Sequence, residues 1–314
     1  MTTPMHEILI VGLGAIARVH ARVLEQIPGA SLVACVDMAS ASLQFRGQPV
    51  PVYPDPAQAA IHHRADVVII ATPTPTHAAV CDQVAAAYPS ARLLVEKPAA
   101  PTLAGARHMI TGIGSRQPVD IAYHMSFSPE VDWGLRIVTG KEAELGPLTA
   151  IRACFTDPYS DQPEAAAARF GSSWIDSGIN ALSVLSRFTQ LYDRVSLRSL
   201  GPDSWSAFEA RITCASTGGP REALIVTSWH VTDPAKTTTI GYESGATLVM
   251  DHTAVAGYLI QDGQLTEFFG SDRTLTRQER HYRALYQSWL VNGRPIATAE
   301  THLHLHELLL RPAT

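Results

Sequence analysis

The stretch that decides the fold is Ile8-Leu9-Ile10-Val11-Gly12-Leu13-Gly14-Ala15-Ile16-Ala17. Four apolar residues run into a glycine turn. The turn opens a segment in which Ile16, Val19, Val23, Leu24 and Ile27 fall on one helical face. A strand, a tight turn and a helix at this spacing present helix N-terminal amides to a pyrophosphate. Gly12 permits the turn and Gly14 has no Cβ to obstruct a phosphate. Ala15 and Ile16 begin the helix, and Ala17 is small enough for close helix–strand packing. Twenty residues past Ala17, Asp37 ends a second apolar run, 31–36. A carboxylate there accepts hydrogen bonds from adenosine ribose hydroxyls and repels a 2′-phosphate. Met38 and Ala39 add no arginine, which favours NAD and leaves NADP as the second choice.

Outward from this stretch the chain keeps alternating. Residues 66–71 form a continuous Val/Ile run of the kind buried on both faces. Thr72 and Pro73 open a proline-rich break before a helix over 77–88, beginning at His77. A strand over 93–95, a helix over 103–113 and a strand over 119–123 follow. This rhythm predicts an α/β fold, a Rossmann-type doubly wound parallel sheet, over 1–123. After Tyr123 the pattern changes. A helix over 129–139, a strand over 148–155, a polar alanine-rich loop and a segment over 174–188 lead into a series of strands. These are 195–200, 208–214, 223–230, 237–242, 247–250 and 258–261, and helices over 276–291 and 299–310 close the chain. The second domain, 124–314, is expected to be α+β, with a large, mostly antiparallel open sheet.

The composition narrows the partners. A net charge of −5 without long runs of one sign argues against nucleic acid. No apolar stretch reaches the roughly 18 residues of a spanning helix, so no membrane is expected. The four cysteines, Cys35, Cys81, Cys154 and Cys214, form no metal-type pair and read as buried thiols of a reducing compartment. The polar start, Met1 to Glu7, does not resemble a signal peptide, and the expected location is the cytoplasm.

Beyond the glycine turn, two groups of residues could carry chemistry. Glu96-Lys97-Pro98 follows the 93–95 strand, and the carboxyl end of such a strand is where parallel sheets bind ligands. A lysine enclosed beside a cationic nicotinamide would lose pKa to desolvation and like charge, which suits proton transfer. The same position also suits a solvated lysine, and position alone leaves both open. Asp176-Ser177-Gly178-Ile179-Asn180 sets two polar groups four residues apart, on one side of a helix that reaches Asn180. Asp176 is equally a candidate N-cap. His124, at the end of a parallel strand, is a candidate substrate contact, whereas His302, His304 and His306 alternate and do not converge on a metal. No metal site is expected.

Together these residues resemble the Gfo/Idh/MocA oxidoreductases. The resemblance rests on the glycine turn with Asp37, the Ala71-Thr72-Pro73-Thr74-Pro75-Thr76-His77 stretch, Glu96-Lys97-Pro98, and Asp176 four residues before Asn180. It implies that Gly12, Gly14, Ala15, Ile16, Asp37, Thr72, Pro73, His77, Glu96 and Lys97 line the cofactor, with a cis peptide before Pro98. It further implies Lys97 and Asp176 as catalytic residues. Asn180, His124 and Trp174 would meet a sugar-like substrate, and the open sheet would join copies into a homodimer or homotetramer. Many members carry histidine where this chain has Asn180, and an amide cannot take a proton at useful pH. The 176–183 run resembles the L-arabinose and D-galactose 1-dehydrogenase branch, which oxidises the anomeric carbon of a pyranose to a lactone. Two other readings follow from the same resemblance: reduction of a ketone or imine on a modified or nucleotide-linked sugar or secondary metabolite, and a cofactor-binding regulator without turnover.

Overall fold

Strand β1 (His6–Val11) buries Ile8, Leu9, Ile10 and Val11 in sequence, which requires cover on both faces. The computed structural model, which describes residues 5–39, 42–161, 163–201 and 203–311, supplies it. Around β1 run β2 (Ala30–Val36), β5 (Val52–Tyr53), β6 (Val67–Ile70), β7 (Arg92–Val95) and β8 (Val119–Ile121); β3 (Gln44–Phe45) and β4 (Gln48–Pro49) make a separate hairpin. The six-stranded sheet has the order β5-β2-β1-β6-β7-β8, parallel throughout. Its helices are α1 (Ala15–Leu24), α2 (Pro56–His62), α3 (His77–Ala87) and α4 (Leu103–Arg107). The expected helix over 103–113 is there, but its second half, His108–Ile113, widens into a π-helix. Helix α2 was not expected, although its cap was written in the sequence. Asp55 Oδ1 accepts from the Gln58 amide at 2.9 Å, and Pro56 occupies the first turn.

The strand order reverses at β1, with β2 on one side and β6 on the other. That is the switch point where open α/β sheets bind ligands, outside the strands' carboxyl ends.

The second unit is built on an eight-stranded sheet. Its strands are β9 (Leu148–Thr156), β10 (Leu191–Ser199), β11 (Ala207–Cys214), β12 (Arg221–Ser228), β13 (Lys236–Tyr242), β14 (Thr247–Asp251), β15 (Ala256–Gln261) and β16 (Gln264–Gly270). They run in the order β10-β11-β12-β9-β13-β14-β15-β16, and only β12 and β9 pair in parallel. The sheet is thus mostly antiparallel, as expected. Helices α5 (Pro129–Gly140), α6 (Glu142–Leu145), α7 (Pro163–Phe170), α8 (Ile179–Leu185), α9 (Arg277–Tyr286) and α10 (Ala299–Leu310) complete the chain. Strands such as β12 and β13 alternate buried with half-exposed residues, the mark of a sheet covered on one face. Helix α5 lies close to that covered face, since a Cβ at Gly257 would stand 2.3 Å from the Trp133 ring.

Three features of the structure differ from the sequence reading. The alanine-rich stretch expected as a loop is helix α7, because four consecutive alanines, 165–168, favour helix strongly. Strand β16 escaped notice because it is an edge strand with most of its residues exposed and no apolar alternation. The domain boundary also differs. The first compact unit comprises Met1–Tyr123 and Tyr282–His306, and the second His124–His281 and Glu307–Thr314. Long-range hydrogen bonds draw the C-terminal segment into the first unit. Asp120 on β8 accepts from Trp289 Nε1 at 2.6 Å and from the Ile296 amide at 3.2 Å, and the Ala99 amide donates to His306 Nε2 at 2.9 Å. Among the described residues no helix is long and apolar enough to cross a membrane. All four cysteines are free.

Burial opposes ionisation of Asp120, but His302, Trp289 and the Ile296 amide outweigh it and hold the carboxyl below its usual range. A depressed folded pKa contributes stability above the unfolded value, near 3.9, and loses it as pH falls through the folded one. Asp120→Ala should therefore cost about 2–3 kcal/mol in urea unfolding at pH 7, with the gap to the parent closing as pH falls below about 4.

Candidate active site

The site begins at the carboxyl end of β1, where the backbone turns sharply. Gly12 has φ +88°, and a Cβ there would lie 2.8 Å from Thr72 Cγ2 and 2.9 Å from the Thr72 amide. The Gly12 amide donates to Val36 O at 2.8 Å, tying the turn to the end of β2. Gly14 is different: nothing stands within 4 Å of a Cβ built on it. It begins α1 without a side-chain cap, leaving first-turn amides available to an anion. Ala15 and Ile16 form that first turn, and Ala17 is buried. The two glycines thus answer two needs, close packing at Gly12 and open approach at Gly14.

Asp37 follows β2. Its Oδ2 accepts from the Leu13 amide at 2.6 Å and its Oδ1 from the Ala39 amide at 2.8 Å. The carboxylate braces the glycine turn and keeps lone pairs free for ribose hydroxyls. Thr72, half-buried, and Pro73, exposed, follow β6 across the switch point. An open cradle at Gly14, uncapped amides and a ribose-type acid fit a dinucleotide.

Two residues expected at the cofactor turn inward instead. His77 is buried, with Nε2 2.8 Å from Thr72 O and Nδ1 3.0 Å from Ala99 O, so its ring braces two loops. Glu96, also buried, receives Tyr282 Oη–H at 2.5 Å, lies 3.0 Å from His20 Nε2, and accepts from the Lys97 amide at 3.2 Å. Lys97 itself is half-buried after β7, and the Lys97–Pro98 peptide is cis, as the resemblance implies. Burial raises the Glu96 pKa, yet bonds from His20 and Tyr282 and the charge of Lys97 bring it below the usual range.

The second unit positions the other candidates on one stretch. Trp174–Gly178 forms a single π-helical turn that runs straight into α8. Such wide turns recur at functional sites. Asp176 sits inside this turn and does not cap it. Just ahead of it, Ser172 Oγ accepts from the Ile175 amide at 3.1 Å. Asn180 is buried, and its Oδ1 has no hydrogen-bond partner among the described residues. Such an orphan acceptor costs about 1–3 kcal/mol unless a ligand or water meets it. Trp174 departs from expectation. It is 2% exposed, donates Nε1–H to Leu309 O at 2.9 Å and lies against Gly178, and so belongs to the core. His124 is buried and stacks on His281 at 5.6 Å between ring centroids.

Further polar residues near these were not legible in the sequence. Lys236 donates to Asp157 Oδ2 at 2.5 Å, and Ser177 Oγ–H donates to the same oxygen at 2.6 Å. Burial pulls the Lys236 pKa down, and Asp157 offsets only part of that. Glu130 accepts from Ser128 Oγ at 2.5 Å and lies 2.7 Å from His252 Nδ1. His281 is 3.8 Å from the same carboxylate, and burial pushes its pKa well down. The partners are 79 and 122 residues apart, so no local pattern announces them. Among the described residues no group of three or more His, Cys, Asp or Glu could hold a metal ion.

Residues 6–119 match the Gfo/Idh/MocA model, an oxidoreductase family with an NAD-binding Rossmann fold. The glycine turn, Asp37 and Lys97 all fall within the matched segment. The segment 6–119 is thus similar to the NAD-binding Rossmann domain of the Gfo/Idh/MocA oxidoreductases. Its whole fold is shared with solved structures. GenD2 from gentamicin A biosynthesis, in complex with NAD, superimposes with a TM-score of 0.75 at 18% identity, over 99% of this chain and 94% of that one. The UDP-N-acetylglucosamine 3-dehydrogenase GnnA from Acidithiobacillus ferrooxidans gives 0.75 at 18%, over 98% and 96%. The scyllo-inositol dehydrogenase from Lactobacillus casei, with bound NAD(H) and scyllo-inositol, gives 0.73 at 18%, over 98% and 96%. No curated protein matches the chain in sequence.

The two glycines should separate on substitution. Gly14→Val should leave the melting temperature within a few degrees of the parent while weakening NADH binding, read by fluorescence titration, at least tenfold. Gly12→Ala should lower the melting temperature itself, because both φ and the Thr72 contact oppose a Cβ.

Proposed function

We propose that this protein oxidises a CH–OH group of a sugar, the anomeric hydroxyl of an aldopyranose, with NAD as hydride acceptor and a lactone as product. The observation that carries the reading is the position of Lys97. It follows β7, on the carboxyl side of the same parallel sheet that holds the open cradle at Gly14. Bound NAD supplies the hydride acceptor. The chain's residues handle the proton and the orientation. Lys97 or Asp176 takes the hydroxyl proton as C1 loses its hydride, so substrate gives up two electrons and one proton enters the solvent. Asn180 holds the substrate hydroxyl through its buried, unpartnered Oδ1.

Asn180 also supports the choice of an anomeric hydroxyl over a ring hydroxyl. Without a histidine base at that position, a more acidic hydroxyl is the easier substrate, since less driving force is needed to remove its proton. The sugar-like substrates in the names of GnnA and the scyllo-inositol dehydrogenase agree with the class. Asp37, with no arginine at Met38 or Ala39, favours NAD over NADP. The half-exposed face of the eight-stranded sheet, with Leu224, Val226, Val249 and Tyr258, would pair two copies in a homodimer.

The test follows reduced nicotinamide formation against a panel of aldoses and inositols, with NAD and NADP separately. Aldose-dependent reduction of NAD with a lactone product is expected. Activity confined to inositols, or a ketone product, would overturn the anomeric assignment. Lys97→Met should lower kcat by roughly 10²–10⁴ while leaving NADH affinity within a few fold. Unchanged turnover would remove Lys97 from the reaction.

A further inference from the structure

The motif around Lys97 contains a second ionisable residue whose placement the proposed reaction does not explain. Glu96 is 7% exposed and points away from the cradle, into the space between α1 and α9. Its Oε1 receives the Tyr282 hydroxyl at 2.5 Å and faces His20 Nε2 at 3.0 Å, while Oε2 accepts the Lys97 amide at 3.2 Å. His20 in turn meets the Tyr286 hydroxyl through Nδ1 at 2.7 Å. One tautomer satisfies every bond: Nε2–H donates to Glu96, and Nδ1 accepts from Tyr286. Each neighbour then donates to the carboxylate or to its donor, so the site is built for an anion.

We propose that Glu96 is a positioning residue for Lys97, a buried carboxylate that keeps the lysine ammonium protonated and fixes its turn against helix α1. The reasoning has an electrostatic and a mechanical part, and it rests on the reading of Lys97 as the reacting lysine. Electrostatically, the groups facing Glu96 are His20 from α1, Tyr282 and Tyr286 from α9, and Lys97 from its own turn. Lys97 is the only permanently cationic side chain type among them. An ionised carboxylate in a poorly solvated place favours the charged form of the cation next to it in sequence, as that cation favours the carboxylate's. Glu96 is held ionised by its hydrogen bonds, so the charge is present throughout the range in which a lysine titrates. Mechanically, α1 is the helix whose N-terminus faces the cradle. The His20–Glu96–Lys97 chain of contacts therefore sets the lysine in register with the place where the pyrophosphate would sit. With Lys97 held as an ammonium, it donates to the substrate oxygen, and Asp176 is left to accept the proton.

Titrating Lys97 directly, without turnover, tests this. The protein is briefly acetylated with acetic anhydride across a pH series, and modification of the Lys97 peptide is read by mass spectrometry. In the parent the midpoint should lie at or above the ordinary lysine value, near 10.4. In Glu96→Gln, which keeps the size and hydrogen-bonding reach but removes the charge, it should fall by about one pH unit. Glu96→Asp should restore it. A purely structural role would lower the melting temperature of Glu96→Gln and leave the midpoint where it was, and that result overturns the proposal. A parent midpoint near 8 or below overturns it too, whether or not the variant folds. The Lys97→Met turnover experiment reports separately on the reaction: if that variant is fully active the catalytic reading fails, whereas the acetylation midpoint decides only what Glu96 does.

Discussion

The approach of Gly12 to Thr72 is the constraint on which the rest of the structure depends. A main chain can come that close only where no Cβ intervenes, and there β1 and β6 end side by side at the reversal of strand order. The residues proposed to meet the cofactor are then delivered by the same end of one parallel sheet. β1 supplies the glycine turn, β2 supplies Asp37, β6 supplies Thr72 and Pro73, and β7 supplies Lys97. A parallel sheet directs all its carboxyl ends one way, so four short segments far apart in sequence meet without any of them being long.

The interior supports these ends with polar groups that are bonded rather than merely buried. His77 spans the carbonyls of Thr72 and Ala99, Asp37 holds the Leu13 amide, and Glu96 collects donors from α1, α9 and its own turn. Each bond removes freedom from a loop that the proposed hydride transfer would need in place, where displacements of about 1 Å are costly. The C-terminal segment serves the same end. Tyr282, Tyr286, Trp289 and His306 return to the first unit and tie off Glu96, His20, Asp120 and the Ala99 amide.

The second unit shows a different economy. Helices cover one face of its sheet and leave the other half-exposed, while Lys236, Asp157 and Ser177 gather within charge range of Asp176. Lys236 with Asp157, and Glu130 with His252, pair rather than stand alone, because an isolated buried charge would be far more expensive than a partnered one. Asn180 Oδ1, like Glu130 Oε2, is a buried acceptor without a hydrogen-bond partner among the described residues.

The sequence by itself determined the architecture and the form of the glycine turn with Asp37. Glycine spacing, an acid at a fixed distance and Val/Ile runs are local consequences of backbone geometry and burial, so they survive in a one-dimensional reading. The position of Lys97 just past β7 was legible for the same reason, since a motif at a strand end has a fixed address. Tertiary structure alone decided which way those residues face. His77 and Glu96, read as cofactor contacts, turn into the protein; Trp174 joins the core; and the segment 282–306 joins the first unit instead of the second. The bonds responsible join residues dozens to hundreds of positions apart, such as Glu96 with Tyr282, and nothing in the residues between them encodes the meeting. Periodicity tells which side of an element is apolar. Only packing settles which polar group, on which distant element, completes the bond.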